Sequence, residues 1–206
     1  MTASHRITTA AQLDALYGAP AGNSLTKEID YISVGYRKFI EAAPFVIVAT
    51  SGPDGLDCSP RGDPPGFVRV RDRNTVLVPD RRGNNRIDTL HNLVADPRIS
   101  LLFLIPGVGE TLRINGHAEI VTDPELCESF ALHGKAPVSV LVVTAERVYF
   151  QCPKALVRSR LWHPEAQVAR AELPSSGQIM AEITGGEVDG AAYDRAYPQR
   201  LKDTLY

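Results

Sequence analysis

FVIVAT (45–50), SGPDG (51–55) and LDCSP (56–60) are the stretch on which the fold turns. The first is a short β-branched run, the second has the composition of a turn, and the third returns as a hairpin partner. Period-two patterning continues from there toward the C-terminus. TVLVP (75–79) reads as a third strand preceded by the turn-like DRN (72–74). ISLLFLI (99–105) reads as a buried strand, and PGVG (106–109) turns it. TLRINGHAEIV (111–121) alternates, with Leu112, Ile114, Ala118 and Ile120 on one face and Arg113, Asn115, His117 and Glu119 on the other. SVLVVTAERVYFQC (139–152) is one long strand or a bent pair.

Around these runs the period changes to that of helices. Residues 8–17 suit a short helix capped by Thr8 or Thr9. Residues 25–42 place Ile29, Ile32, Tyr36, Phe39 and Ile40 at spacings of three or four, and Pro44 closes them. Residues 85–95 carry Ile87, Leu90 and Val94 on one stripe and stop at Pro97. Residues 123–133 open with Asp-Pro-Glu, a cap followed by proline at the first helical position. Residues 153–162 end at Trp162, and 189–206 align Tyr193, Tyr197, Leu201 and Leu205. About six antiparallel strands with helices at both ends, and no alternating βαβ units, argue for an antiparallel barrel with helical decoration and against a Rossmann fold. The expected organisation is one domain over 1–206, with its core at about 44–152 and helical extensions at 8–42 and 153–206.

The composition excludes several classes. The chain has 206 residues, 44% hydrophobic and 22% charged, with a formal net charge of −2, which suits neither a disordered tail nor a highly basic nucleic-acid binder. Cys58, Cys127 and Cys152 form no CxxC and no disulfide framework, which points to a reducing, cytoplasmic setting. The N-terminal stretch has Thr, Gln and Asp where a signal peptide needs an apolar run. The longest apolar run, 101–105, is far short of the ~20 residues that cross a bilayer, so no membrane partner is expected. The five histidines lack ligand spacing, so no metal is expected. Neither a Gly-x-Ser-x-Gly nor a base partner for Cys58 is apparent, so nucleophilic hydrolysis is not suggested. Arginine dominates lysine, 17 to 5, and seven of the arginines lie between Arg61 and Arg86. Six aspartates lie in or beside that stretch, so it fits a few arginines gripping one small anion better than a stripe for a polyanion.

Two segments carry the anion chemistry. PDRRGNNRIDT (79–89) runs from a strand end through Gly83 into a helix whose first turn has unpaired N–H groups and the positive end of a dipole. Asn84 or Asn85 would cap it and Arg86 would add a full charge, a ready phosphate site. The same residues also suit an ordinary capped helix with a solvated arginine. SPRGDPPG (59–66) has three prolines and two glycines, a rigid loop that would hold Arg61 near the same edge, whereas Arg69, Arg71 and Arg73 are expected to be solvated. Lys154, Arg158 and Trp162 fall at i, i+4 and i+8 of the expected helix, where two cations beside an indole would close a cleft or hold an acidic substrate, or form an ordinary surface face.

The run FVIVATSGPDGLDCSPRGDPPGFV (45–68), followed by VLVPDRRGNNRIDTLHNLVADPRISLLFLIPGVGETLRINGHAEI (76–120), resembles the pyridoxamine 5′-phosphate oxidase-like superfamily of FMN-binding split barrels. The shared marks are Ala49-Thr50, Asp54-Gly55, Ser59-Pro60, Asp96-Pro97-Arg98, Leu101-Leu102-Phe103 and Arg113–Ala118. The wording SPRGDPPGF, PDRRGNNRIDT and LIPGVGETLRINGHA, with CPKALVRSRLW (152–162) and RLKDTLY (200–206), resembles a bacterial branch of FMN-dependent enzymes. The resemblance implies a mainly β, six-stranded, Greek-key-like split barrel with flanking helices. It implies a homodimer with FMN in clefts between subunits and a small-molecule substrate. On this chain the cofactor contacts would come from Arg61, Gly62 and Asp63, from Pro79 and Asp80 beside the isoalloxazine, and from Asn84, Asn85 and Arg86 near the phosphate. Arg113, Lys154, Arg158 and Trp162 would complete them. Two departures stand out. The family's usual phosphate-binding Ser-x-Lys lies nearer the following Asn-Pro pair than Arg86 does, by nearly one helical turn, and Thr89 takes the Lys register. The tail RAYPQRLKDTLY has no histidine for the Arg-x-His of the vitamin B6 oxidases, so the chain is not expected to be that enzyme. An FMN-dependent oxidoreductase is therefore expected. An F420-dependent reductase, or a flavin-binding protein without turnover, would use the same fold; a haem-handling barrel would lack an evident axial histidine.

Overall fold

The computed structural model describes residues 5–20 and 22–206; residues 1–4 of the expected domain, and residue 21, lie outside the described residues. Seven strands form one antiparallel sheet: β1 (Phe45–Gly52), β2 (Gly55–Gly62), β3 (Arg69–Val70), β4 (Thr75–Asp80), β5 (Arg98–Leu104), β6 (Thr111–Val121) and β7 (Ser139–Gln151). Their order is β2-β1-β5-β6-β7-β4-β3, so β2 and β3 are free edges and the barrel is split, not closed. The count is seven, not the expected six. The addition is β3, too short to show a period, which pairs Arg69 with Leu77 and Val70 with Val76. Its turn is fixed by Asp72, whose carboxylate accepts from the Asn74 N–H at 2.8 Å. The β1–β2 hairpin turns over Pro53-Asp54 between paired Gly52 and Gly55.

Residues 139–151 form one strand, with a register shift opposite Asn115/Gly116. Gly116 sits at that shift because a Cβ there would lie 1.9 Å from the Thr144 carbonyl oxygen. The inward rows of the sheet, Val46 and Val48, Val76 and Val78, Leu101 and Phe103, Leu112 and Ile114, Leu141 and Val143, form the main core. β4 and β7 are covered on both sides. Leu77, Val140 and Val142 face a second cluster with Cys127 and Phe130, beside α4 (Pro124–Ser129).

The remaining helices are α1 (Ala10–Tyr17), α2 (Val34–Ala42), α3 (Asp88–Ala95), α5 (Lys154–Ser159), α6 (Ser176–Ile183) and α7 (Gly190–Thr204). Thr9 caps α1 and Asp189 caps α7. α2 is half the expected 25–42, because Ile29 pairs with Val148 in an isolated bridge and Ser33 then caps a fresh start. α3 starts at Asp88 instead of 85, since Ile87 stands at its cap in the left-handed region, φ 50°. Its inward residues are Thr89, Asn92 and Leu93, and Val94 is 81% exposed, so the expected Ile87–Leu90–Val94 stripe is out of phase by about one residue. α4 and α5 are shorter than 123–133 and 153–162; α5 ends where Arg160 turns left-handed, φ 55°. α6 was not anticipated. It begins with a reciprocal capping box between Ser175 and Gln178. Among the described residues no helix is long and apolar enough to cross a membrane.

Candidate functional site

The site begins with the parity of β2. Val46, Val48 and Thr50 of β1 point into the core, and their cross-strand partners are Arg61, Ser59 and Asp57. These three polar side chains therefore lie on the inward face of an edge strand, which has no ladder partner on its far side. Arg61 reaches across the opening to β4, its Nη2 3.6 Å from Asp80 Oδ1. A second ion pair spans the same opening, with Arg81 Nε donating to Asp63 Oδ2 at 2.6 Å and Arg81 Nη1 to the Phe130 carbonyl at 2.8 Å. The split is thus bridged by two arginine–aspartate pairs where a closed barrel would have backbone bonds. Asp63 is nearly sealed, its side chain 4% exposed.

A cleft of ≈ 1220 Å³ opens on this seam. It exceeds the ~300–1,000 Å³ typical of pockets for small molecules. Its floor is a polar network. The Thr89 hydroxyl donates to Asp57 Oδ2 at 2.5 Å and accepts from Arg61 Nη2 at 3.3 Å, and the Ser59 hydroxyl donates to Asp57 Oδ1 at 2.9 Å. Burial holds the Asp80 carboxyl above the usual carboxylate range, with Arg61 pulling it back. Tyr206 also lines the cleft. Its phenol is pushed up by burial and by the Asp63 charge, opposed by Arg81, and its main-chain oxygen accepts from Lys135 Nζ at 2.7 Å.

Eight of the sequence-predicted residues line this one cleft: Arg61, Gly62, Asp63, Pro79, Asp80, Asn84, Asn85 and Arg86. Their local roles differ in part from expectation. Neither Asn84 nor Asn85 caps α3. Asn84 Oδ1 accepts from the Arg86 N–H at 3.1 Å and Asn85 takes a left-handed turn, φ 61°. Arg86 is exposed and paired with Asp88 at 2.8 Å, whereas Thr89, two residues into α3, is buried against Arg61. Asp57, Ser59, Arg81, Lys135 and Tyr206 were missed. The first two carried a readable signal, since Asp57, Ser59 and Arg61 follow at i, i+2 and i+4 on one strand.

Arg113, Lys154, Arg158 and Trp162 lie outside the cleft lining. Arg113 is on the outward face of β6, where its Nη1 donates to the Tyr149 hydroxyl at 3.1 Å. Trp162 lies past the end of α5, so it does not share a helical face with Lys154 and Arg158; its indole N–H donates to the Val108 carbonyl at 2.8 Å. Two of the arginines expected to be solvated are exposed, and each also stacks on a ring. Arg69 covers the Phe130 ring at 3.8 Å and Arg73 the Tyr31 ring at 3.9 Å.

Donors suited to a phosphate are present in the cleft, namely Arg61, the Thr89 and Ser59 hydroxyls and the first turn of α3. Each side-chain donor is at present turned to Asp57 or Asp80, so an incoming phosphate would replace those acceptors.

Solved structures similar to this chain include HupZ of Group A Streptococcus, 20% identical over 59% of this chain and 94% of that one, TM-score 0.49. Another is a structure described as a possible pyridoxamine 5′-phosphate oxidase of Lactobacillus delbrueckii, 16% identical over 59% and 95%, TM-score 0.46. A third is a FAD-binding protein of Mesorhizobium loti, 15% identical over 55% and 87%, TM-score 0.41. No curated protein matches the chain. The family model described as pyridoxamine 5′-phosphate oxidase matches residues 35–152, from α2 through the last strand of the split sheet, and the chain belongs to that family.

Proposed function

We propose that the seam cleft binds FMN and that the protein is a cytoplasmic FMN-dependent oxidoreductase acting on a small molecule as a homodimer. The observation that carries this reading is the Arg61–Thr89–Asp57–Asp80 network at the floor of a flavin-sized cleft, beside the first turn of α3. Bound FMN would supply the two-electron chemistry. The chain's own groups would bind, orient and shield. Arg61 and Thr89 would hold the phosphate, with Asp57 and Asp80 keeping both side chains in place when the ligand is absent. Phe67 and Leu90 would exclude water from the apolar part of the cleft.

The homodimer is supported by the outward face of the sheet. There Phe45 pairs with Leu104 and Ile47 with Leu102, so β1 and β5 put these four residues in one outward-facing apolar patch. A second copy on that face would bury them and would bring Arg113, Lys154 and Arg158 toward the partner's cleft.

Flavin occupancy of the purified protein tests the reading. Yellow protein with flavin absorbance, losing its cofactor in Arg61→Ala, is the expected result. Colourless protein that takes up only added deazaflavin would replace FMN by F420. Bound flavin that neither NAD(P)H nor any candidate substrate reduces would make the chain a flavin-binding protein without turnover.

A further inference from the structure

Beside the main cleft lies a second cavity of ≈ 570 Å³. Arg82, Asn84 and Asn85 form one wall, and Tyr197, Arg200 and Thr204 of α7 form the other. The two cavities differ in charge. In the main cleft Arg61, Arg81 and Arg86 are each matched to an aspartate. The smaller cavity is lined by two arginines and no carboxylate. Neither Arg82 nor Arg200 forms an ion pair among the described residues.

Arg200 is nonetheless held in place, and by neutral groups. Its Nη2 donates to the Tyr193 hydroxyl at 2.7 Å, and its guanidinium stands 4.8 Å and 5.4 Å from the Tyr193 and Tyr197 ring centroids. Aromatic faces orient a guanidinium without cancelling its charge. The acidic residue nearest in sequence, Asp203, accepts from Gln199 Nε2 at 2.8 Å and is not part of the lining. Two uncompensated guanidiniums on opposite walls, with the Asn84 and Asn85 amides beside Arg82, match the donors that an oxyanion needs, whereas the Thr204 hydroxyl is already donated to the Arg200 carbonyl at 2.7 Å. The loop 82–85 and Leu205 line both cavities, so one ligand can occupy both.

We propose that this smaller cavity is an oxyanion subsite, which takes the phosphate or carboxylate of the small molecule on which the enzyme acts. The proposal rests on the FMN reading for its placement beside the reacting centre, but the subsite itself can be measured without flavin.

The test is calorimetric titration of inorganic phosphate, with acetate as a second arm, into the full chain saturated with FMN. Saturable binding of either anion is expected. It should weaken roughly tenfold or more in Arg82→Ala, which breaks no ion pair among the described residues, and also in Arg200→Lys, which keeps the charge but not the fork. Flavin affinity should stay unchanged in Arg200→Lys, because Arg200 lines the smaller cavity and not the main cleft. No saturable binding of either anion, or equal binding in wild type and variants, overturns the subsite. So does phosphate that FMN displaces, or a flavin loss in Arg82→Ala equal to that in Arg61→Ala, because the cavity would then belong to the cofactor. If the chain takes up no FMN at all, the flavin reading fails separately, and the same titration on the flavin-free chain still decides the subsite.

Discussion

Arg61 and Arg113 stand in adjacent rows of one sheet and do opposite things. Following the pairing from β2 to β6, Pro60, Ile47, Leu102 and Arg113 form one cross-strand row, and Arg61, Val46, Phe103 and Leu112 form the next. Alternation puts the two arginines on opposite faces. Arg61 turns inward at the split, where Asp80 and Thr89 meet it. Arg113 turns outward, where Tyr149 is its partner. The same residue type thus serves a cage on one face and a candidate contact surface on the other. What separates them is burial and the presence of a matching carboxylate, not their distance along the chain.

If burial makes the inward pairs matter, breaking the most buried one should do most harm. Arg81→Ala leaves the Asp63 carboxylate sealed without its partner. A loss of about 3–5 kcal/mol in chemical denaturation is expected. A loss no larger than that of an exposed pair would remove the distinction between the faces.

Next in size is the binding contrast. Arg61→Ala should weaken FMN roughly tenfold or more, read by flavin fluorescence. Arg158→Ala, on the outer group, should weaken it by only a few-fold, on the order of one exposed charge. If a homodimer builds each site from Arg61 of one subunit and Arg158 of the other, mixing the two single variants creates heterodimers with one fully native site. Recovery of tight flavin binding on mixing sharpens the comparison, and no recovery shows that the outer group does not reach the cleft.

The parts legible in the sequence were those set by local period. The β1–β2 hairpin, β6 and its two faces, and the caps at Thr9 (read as Thr8 or Thr9) and Asp123 follow from local pattern alone. The site was half legible. Arg61 and the 79–86 segment converge because the β1–β2 and β3–β4 hairpins meet at the seam, and their composition marked both. Three things were hidden. Which way Arg113 faces relative to Arg61 depends on register across four strands, which no local pattern carries. The start of α3 depends on Ile87 taking a left-handed conformation unusual for a β-branched residue, so both the cap and the buried stripe shifted. Ile29 left the helical pattern because a bridge to distant Val148 outweighs its local spacing. Tyr206 is held in the cleft by Lys135, more than 70 positions away in the chain.

A subtler effect comes from Asp80. Its folded-state pKa lies above the ordinary carboxylate value of 3.8, so its contribution to stability is fully present below that pH and is lost as pH rises through the raised value. Asp80→Asn should remove this loss. The stability difference between variant and wild type should therefore shift in the variant's favour from about pH 4 upward, as followed by denaturation between pH 3 and 7. The variant also removes the negative charge that competes for Arg61, leaving only a neutral amide acceptor, so its FMN affinity should rise, not fall. A fall would mean that Asp80 itself contacts the ligand.

The smallest effect is expected where an arginine–aspartate pair has good geometry but no burial. Asp96 accepts from the Arg98 N–H at 3.1 Å and from its guanidinium Nε at 2.9 Å, and these bonds lower its carboxyl to about 2. The Arg98 side chain is 80% exposed. Because the shift is downward, the pair's contribution exists above the ordinary value of 3.8 and fades as pH falls toward about 2. Water and salt screen such a pair, and holding a long side chain in one pose costs entropy, so its net worth is small despite the large shift. Asp96→Asn should leave the denaturation midpoint at pH 7 unchanged within error, while an NMR titration of the wild type shows the low midpoint. A loss approaching that of Arg81→Ala would show that hydrogen-bond geometry, and not enclosure at the seam, sets the value of these pairs, and the contrast between the two faces of the sheet would have to be drawn again on that basis.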